Sequence, residues 1–230
     1  MVASTLGPRV PEQFPELVER FRRLATPNIA DCMSRLYTMD YAIGPVGGGQ
    51  VRMAGTALTV SVAHGDNLMV HKAIDMAQPG DVIVVSAGGD VSRAIVGELM
   101  CRCAQWRGVA GMVVDGAVRD GEGIREMGFP VFAGGLTPAG PYKNGPGEIN
   151  VPVACGGVVV FPGDIVVGDG DGVVVIPAPD AESVLAKAEG RRAREEKALV
   201  DVGVYAQNRG WVDKALRELG CEVNEGEFRR

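Results

Sequence analysis

The chain has 230 residues, a formal charge of −6, 46% hydrophobic and 5% aromatic residues, and 33 glycines. The acidic balance and the scarcity of rings argue against nucleic acid as main partner, because phosphate binding needs clustered Lys and Arg and base stacking needs aromatic faces. Cysteines at 32, 101, 103, 155 and 221 form no CxxC pair and fit free thiols. "MVASTLGPRVPEQFPELVERF" lacks a signal-peptide core, and no apolar run reaches the ~18–20 residues of a bilayer span, so a soluble cytoplasmic protein without a membrane partner is expected.

In chain order, "PELVERFRRL" has helical spacing at Leu17, Phe21 and Leu24. "TPNIADCMSRL" predicts a second helix, with Thr26 as N-cap and Pro27 at the first helical position. "VRMAGTALTVSV" has strand character, "NLMVHKAIDMA" returns to helical spacing, and "GDVIVVSA" is a short buried strand. Ala94 to Val96 is a short apolar piece, and from Gly97 the pattern turns helical until about Gly108. "GVAGMVVDG" predicts the next buried strand, "GEGIREMGF" a short helix, and "PVFAGG" another strand. "TPAGPYKNGPGEINVPV" is a Pro/Gly-rich loop of the length that carries function. "GGVVVFPGDIVVGDGDGVVVIP" reads as three strands with two turns, and everything from about residue 178 is helical and charged. These elements predict one α/β domain over 1–230, with sheet packed on sheet and helices outside. Its core would span about 26–177, and the 178–230 tail would pack on a neighbouring subunit.

Only His64 and His71 are present, which excludes a His-rich metal site. "GDGDG" lacks the third acid and terminal glutamate of a calcium loop and predicts a hairpin turn. Two other features carry chemistry. The helix starting at Gly97 offers first-turn N–H groups and a dipole that favour an anion. Glu98 in that turn has the plainer role of complementing the dipole. Arg119-Asp120 follows a buried strand; alone it reads as a surface ion pair of little energetic worth. Yet strand C-terminal ends are where α/β proteins bind ligands. Arg supplies a cationic fork for a keto or enolate oxygen, and Asp a hard oxygen for a divalent ion. Together with the helix start, these residues would supply three parts of a site for a 2-keto acid.

Twenty residues separate Glu98 from Arg119, and Asp120 follows. "GELMCRCAQWRGVAGMVVDGAVRD" thus resembles the acid-X20-Arg-Asp signature of the class II pyruvate aldolases. These cleave 4-hydroxy-4-methyl-2-oxoglutarate and 4-carboxy-4-hydroxy-2-oxoadipate, and they share a fold with the RraA-type regulators of ribonuclease E. The likeness runs from about Thr26 to Pro177 through "GTALTV", "GDVIVV", "PVACGGVVVFPGD" and "DGDGVVVIP"; the tail "GWVDKALRELGCE" resembles the aldolase branch. It implies a swivelling β/β/α fold with peripheral helices and a C-terminal helical tail, assembled as a homotrimer or homohexamer. It also implies that Asp120 ligates Mg2+ or Mn2+ directly, and that Glu98, where the family often has Asp, holds a metal-bound water. Arg119 would bind the keto oxygen and stabilise the enolate. N–H groups near Gly97, Leu99, Met100 and Cys101 would hold the pyruvyl carboxylate. Glu195 or Glu196 of a neighbouring subunit would complete the shell. His71 and Lys143 are further substrate-binding candidates; their plainer readings are a core histidine and a solvated loop lysine. The implied reaction is metal-assisted retro-aldol cleavage with oxaloacetate decarboxylation beside it. The alternatives are a non-catalytic regulator binding ribonuclease E and a dedicated oxaloacetate decarboxylase.

Overall fold

The computed structural model describes residues 4–8, 15–48 and 51–222. The start of the N-terminal stretch and residues 223–230 of the expected tail lie outside them. The chain divides into a unit of residues 1–189 and a unit of residues 190–230.

The first unit is organised around β3 (Met53–Val62), β4 (Asp81–Val96), β5 (Gly111–Val118) and β6 (Val131–Leu136). These four run parallel in sequential order. Each connection is a helix: α3 (Leu68–Met76), α4 (Glu98–Trp106) and α5 (Gly121–Met127). Parallel neighbours need such crossovers, and the strands read as nearly continuous Val, Ile and Ala because both faces are covered. The sheet is completed by β1 (Thr5–Leu6), β2 (Gly44–Pro45), β7 (Gly147–Ile149), β10 (Ile165–Asp169) and β11 (Gly172–Ile176). The free edge of β3 is shared by β10 along its first half and β7 along its second, both antiparallel. A separate hairpin pairs β8 (Val153–Cys155) with β9 (Val158–Val160).

Alternation of side chains sorts the sheet into two faces. Ile83, Val85, Met112 and Val114 pack against α3, α4 and α5 through Val70, Ile74, Cys101 and Ile124. Val82, Val84, Val113 and Phe132 pack on Val153, Val158 and Val160 of the small hairpin. The layers are therefore β on β on one side and helix on the other, the expected β/β/α arrangement. A third cluster joins α1 (Pro15–Phe21) and α2 (Thr26–Ala30) through Phe21, Leu24 and Ile29 to Ile165, Val174 and Ile176. Ala181, Val184, Leu185 and Ala188 on the first turns of α6 (Ala181–Val200) complete it.

Three local expectations change. β4 is one sixteen-residue strand, not two pieces. Gly88 and Gly89 have positive φ, and register shifts between Ser86 and Val96 let an exposed excursion leave and rejoin the ladder with β5. The Pro/Gly-rich loop contains β7, which pairs with β3. Thr26 is not the cap of α2; that position is Ala25. Thr26 instead donates from N at 2.8 Å and from Oγ1 at 2.7 Å to Asp169. Asp169 ends β10, and Gly170-Asp171 make the two-residue turn to β11, so "GDGDG" is the expected hairpin.

The second unit continues α6 into α7 (Val202–Gln207) and α8 (Gly210–Glu218). Neither α7 nor α8 buries a residue, and α8 exposes Trp211 and Leu216, with Leu219 exposed just beyond it. No helix among the described residues is long and apolar enough to cross a membrane.

Candidate active site

The X20 spacing has a geometric cause. Val96 ends β4 beside Val118, which ends β5. The nine residues of α4 and the eight of β5 form one crossover that returns the chain to the same sheet end. Arg119 N then donates to Val96 O at 2.9 Å, which sets Arg119 and Asp120 against the start of α4. A cavity of about 320 Å³ opens there, beyond the C-terminal ends of β4 and β5. Gly97, Leu99, Met100, Arg119, Asp120, His71 and Lys143 all line it. A second cavity of about 470 Å³ has Arg119 and Asp120 in its wall together with Arg125 and Thr137.

Arg119 and Asp120 are a poor ion pair: Nε lies 3.5 Å from Oδ2, and both side chains are about half exposed. Asp120 Oδ2 also accepts from Glu98 N at 3.2 Å, so the first-turn amide of α4 faces the carboxylate. Asp120 has φ 59° and ψ 39°. That left-handed conformation is uncommon for a side-chain-bearing residue, though Asp tolerates it better than most, and such outliers cluster at functional sites. Gly97 is extended, so its glycine identity answers to space: a Cβ there would stand 2.7 Å from Asp120 Oδ2 and 3.1 Å from Arg119 Nε.

Around the pair, the N–H groups of Leu99 and Met100 have no intrahelical acceptor. Cys101 is different from expectation. Its N–H bonds Gly97 O at 3.1 Å, its side chain is fully buried, and burial followed by Asp120 and Glu98 pushes its thiol up to about 12. The amide donors at the cavity therefore reduce to Leu99 and Met100. The Glu98 carboxylate is held by Arg102 at 2.6 Å and lies over Gly123, where a Cβ would overlap it. Its backbone, rather than its carboxylate, meets Asp120. His71 is partly buried on α3; burial lowers its pKa first, Lys143 lowers it further, and Asp75 opposes them. Glu195 and Glu196 belong to the second unit and pair along α6 with Arg191 at 3.3 Å and Arg192 at 2.7 Å.

Two cavity features carry no sequence signal strong enough to single out. Asn67 is 2% exposed. Its Nδ2 donates to Ile95 O at 2.9 Å while its Oδ1 is buried without a hydrogen-bond partner. Gly140 and Pro141 form the far wall; a Cβ on Gly140 would meet Arg119 Nη1 at 3.4 Å. A polar residue before a helix reads only as a cap, and a Pro-Gly pair only as a turn.

The donor set has a definite bearing on divalent ions. Among the described residues, no cluster of three or more His, Cys, Asp or Glu could form a closed metal site. Asp120 alone offers a half-exposed carboxylate at the cavity, with Glu98 adjoining. Mg2+ keeps several waters and is bound through one or two carboxylates plus substrate oxygens, so this sparse set fits it.

Comparison with known proteins agrees with this architecture. A Halalkalibacterium halodurans protein, provisionally named a 4-hydroxy-4-methyl-2-oxoglutarate aldolase, is 45% identical over 181 residues, 79% of this chain and 86% of that one. A 4-hydroxy-4-methyl-2-oxoglutarate aldolase of Thermus thermophilus is 39% identical over 132 residues, 57% and 80% of the two chains. The structure of Streptomyces coelicolor RraAS2, described as an unusual member of the RNase ES inhibitor RraA protein family, superposes with a TM-score of 0.70. It is 31% identical and covers 84% of this chain and 98% of its own. The RraA-like family model of aldolases and RraA matches residues 26–175, and the chain belongs to that family.

Proposed function

We propose that the protein is a class II aldolase that cleaves 4-hydroxy-2-oxo dicarboxylates and tricarboxylates by a retro-aldol reaction, using Mg2+ or Mn2+. Its substrates are 4-carboxy-4-hydroxy-2-oxoadipate, giving pyruvate and oxaloacetate, and 4-hydroxy-4-methyl-2-oxoglutarate, giving two pyruvates. Both belong to aromatic-acid breakdown. The observation that carries this reading is the meeting of three groups at one cavity: the Arg119 guanidinium, the Asp120 carboxylate and the first-turn amides of α4. The leading relatives' names support the same activity.

Asp120 would hold the ion, with Glu98 and a neighbouring subunit's Glu195 or Glu196 reaching it through water. When bound, the ion supplies a Lewis acid for the C2 keto oxygen. The N–H groups of Leu99 and Met100 hold the C1 carboxylate at the positive end of α4. Arg119 donates to the keto oxygen and stabilises the negative charge that grows there. A water polarised beside Arg119 takes the C4 hydroxyl proton. The C4 oxygen then forms a carbonyl, the C3–C4 bond breaks, and its electron pair leaves as pyruvate enolate. The proton taken by that water returns to C3 of the enolate and releases pyruvate. Oxaloacetate decarboxylation passes through the same enolate and is a side activity. Lys143 meets the distal carboxylate, and His71, whose pKa burial and then Lys143 lower, lines the same cavity. A homotrimer or homohexamer would bring the α6 glutamates to a partner's cavity.

Pyruvate release from 4-hydroxy-4-methyl-2-oxoglutarate tests the reading. Arg119→Ala should lower kcat by about 10²–10³-fold, the range for removing a donor to a developing oxyanion. A chelator should abolish turnover and Mg2+ should restore it. Full turnover in chelator would point to a lysine-based aldolase. No pyruvate release from any such substrate, together with capture of ribonuclease E, would favour the regulator.

A further inference from the structure

Asp66 is a carboxylate only 2% exposed, and it sits outside the chemistry described above. Its Oδ1 accepts from Leu68 N at 2.9 Å, at the first turn of α3. Its Oδ2 accepts from Asn144 N at 2.5 Å and Gly145 N at 3.0 Å. One buried side chain therefore ties two segments 78 and 79 residues apart. The backbone reinforces the tie. Asp66 and Tyr142 form a parallel bridge, Asn67 N donates to Tyr142 O at 3.0 Å, and Tyr142 N donates to Gly65 O at 2.7 Å. Arg93 fastens the other half of the loop, with Nη1 on Gly140 O at 2.9 Å and its guanidinium 4.2 Å from the Tyr142 ring centroid.

Lys143 lies between these two fastenings and lines the cavity. We propose that Asp66 is a positioning residue whose buried carboxylate clamps the 142–145 loop to the start of α3 and thereby sets where the Lys143 ammonium stands. A lysine on a free loop would lose backbone and side-chain freedom each time it bound an anion; clamping the loop removes part of that cost in advance. α3 also carries His71 and follows directly on Asn67, so the clamp fixes one end of the cavity as a unit. Its consequence for substrate specificity rests on the aldolase reading; its consequence for the place of Lys143 does not.

The experiment has an arm for each. Asp66→Asn keeps the shape but leaves one accepting oxygen in place of two, so its NH2 must face either Leu68 N–H or the N–H groups of Asn144 and Gly145 and the tie between the two segments is broken on one side. Asp66→Ser keeps a hydroxyl acceptor for Leu68 N–H and is too short to hold the loop, so it serves if Asp66→Asn fails to fold. The chain has two histidines, so two imidazole signals appear by proton NMR, and His64→Gln assigns them. Lys143 and Asp75 on α3 are the charges that act on His71, and Arg119 and Asp120 line the same cavity. Only Lys143 should move in the Asp66 variants. Lys143→Met should raise the His71 midpoint, Asp66→Asn should raise it towards the same value, and the double variant no further. With 4-hydroxy-4-methyl-2-oxoglutarate, KM should rise about tenfold or more in Asp66→Asn, the size of a lost charge-assisted contact, with kcat falling much less. Adding Asp66→Asn to Lys143→Met should leave KM where Lys143→Met puts it. A wild-type His71 midpoint in folded Asp66→Asn, or effects on KM that multiply, would overturn the proposal. If the wild-type protein cleaves no 4-hydroxy-2-oxo acid, the aldolase reading fails while the NMR arm still decides where the clamp holds Lys143.

Discussion

Gly97→Ala tests the site through its tightest point. The added Cβ would stand 2.7 Å from Asp120 Oδ2, where ordinary contact begins at 3.4 Å, so the carboxylate must retreat by roughly 0.7 Å or α4 must shift. It would also stand 3.1 Å from both Cγ and Nε of Arg119. Since Gly97 has φ −139°, no backbone strain enters, and the effect is steric. A misplacement of about 1 Å at a reacting centre can cost about 10²-fold, so kcat/KM for pyruvate release should fall by about ten- to a hundredfold. Stability should change far less. Ala is a poorer N-cap than Gly, worth about 1 kcal/mol, which lowers Tm by about 2–4 °C in a chain of this size. A lactate-dehydrogenase-coupled assay beside a thermal melt separates the two. Gly44→Ala is the control, because a Cβ there meets nothing within 4 Å. Wild-type kcat/KM and Mg2+ requirement in folded Gly97→Ala would refute the close approach on which the site is built.

Asp169→Ala should cost about 1–3 kcal/mol, because Thr26 loses a buried acceptor for both N and Oγ1, and added Ca2+ should not change the wild-type Tm; denaturant and thermal melts check the two in turn. His71 gives stability a pH slope. Its folded pKa lies below the ordinary 6.5, so the unfolded chain binds more protons in that interval, and stability falls as pH drops from 6.5 towards the folded value. His71→Gln should flatten that part of the Tm-against-pH curve.

What could be read from the sequence was local or periodic. The start of α4 at Gly97, the turn at Gly170-Asp171 and the alternation of parallel strands with helices follow from spacing and turn chemistry. Contacts set by distant chain segments could not be read. Thr26 looks like a cap until Asp169, 143 residues away, takes its hydroxyl. Gly88-Gly89 looks like a strand end, because only the pairing with β5 shows that the excursion closes. Asn67 looks like a helix start, because its burial, with Nδ2 donating to Ile95 O and Met100 Sδ and Oδ1 left unpartnered, arises only when distant segments meet.

Two opposite charges placed side by side would ordinarily spend their attraction on each other. Here the fold prevents that. The left-handed turn at Asp120 and the missing side chain at Gly97 bring Oδ2 to the Glu98 amide, leaving Arg119 Nε 3.5 Å off. Each charge is thus only partly satisfied and about half exposed, and both face the same 320 Å³ cavity. A surface pair of this kind adds little to stability, but it keeps a cation and an anion ready for a ligand that brings both an oxyanion and a bound cation. A 2-keto acid chelating Mg2+ is such a ligand. The Glu98 carboxylate is meanwhile drawn aside by Arg102, so under the proposed aldolase reading direct contact with an ion would fall to Asp120, and Glu98 would take the more distant place that a bridging water spans.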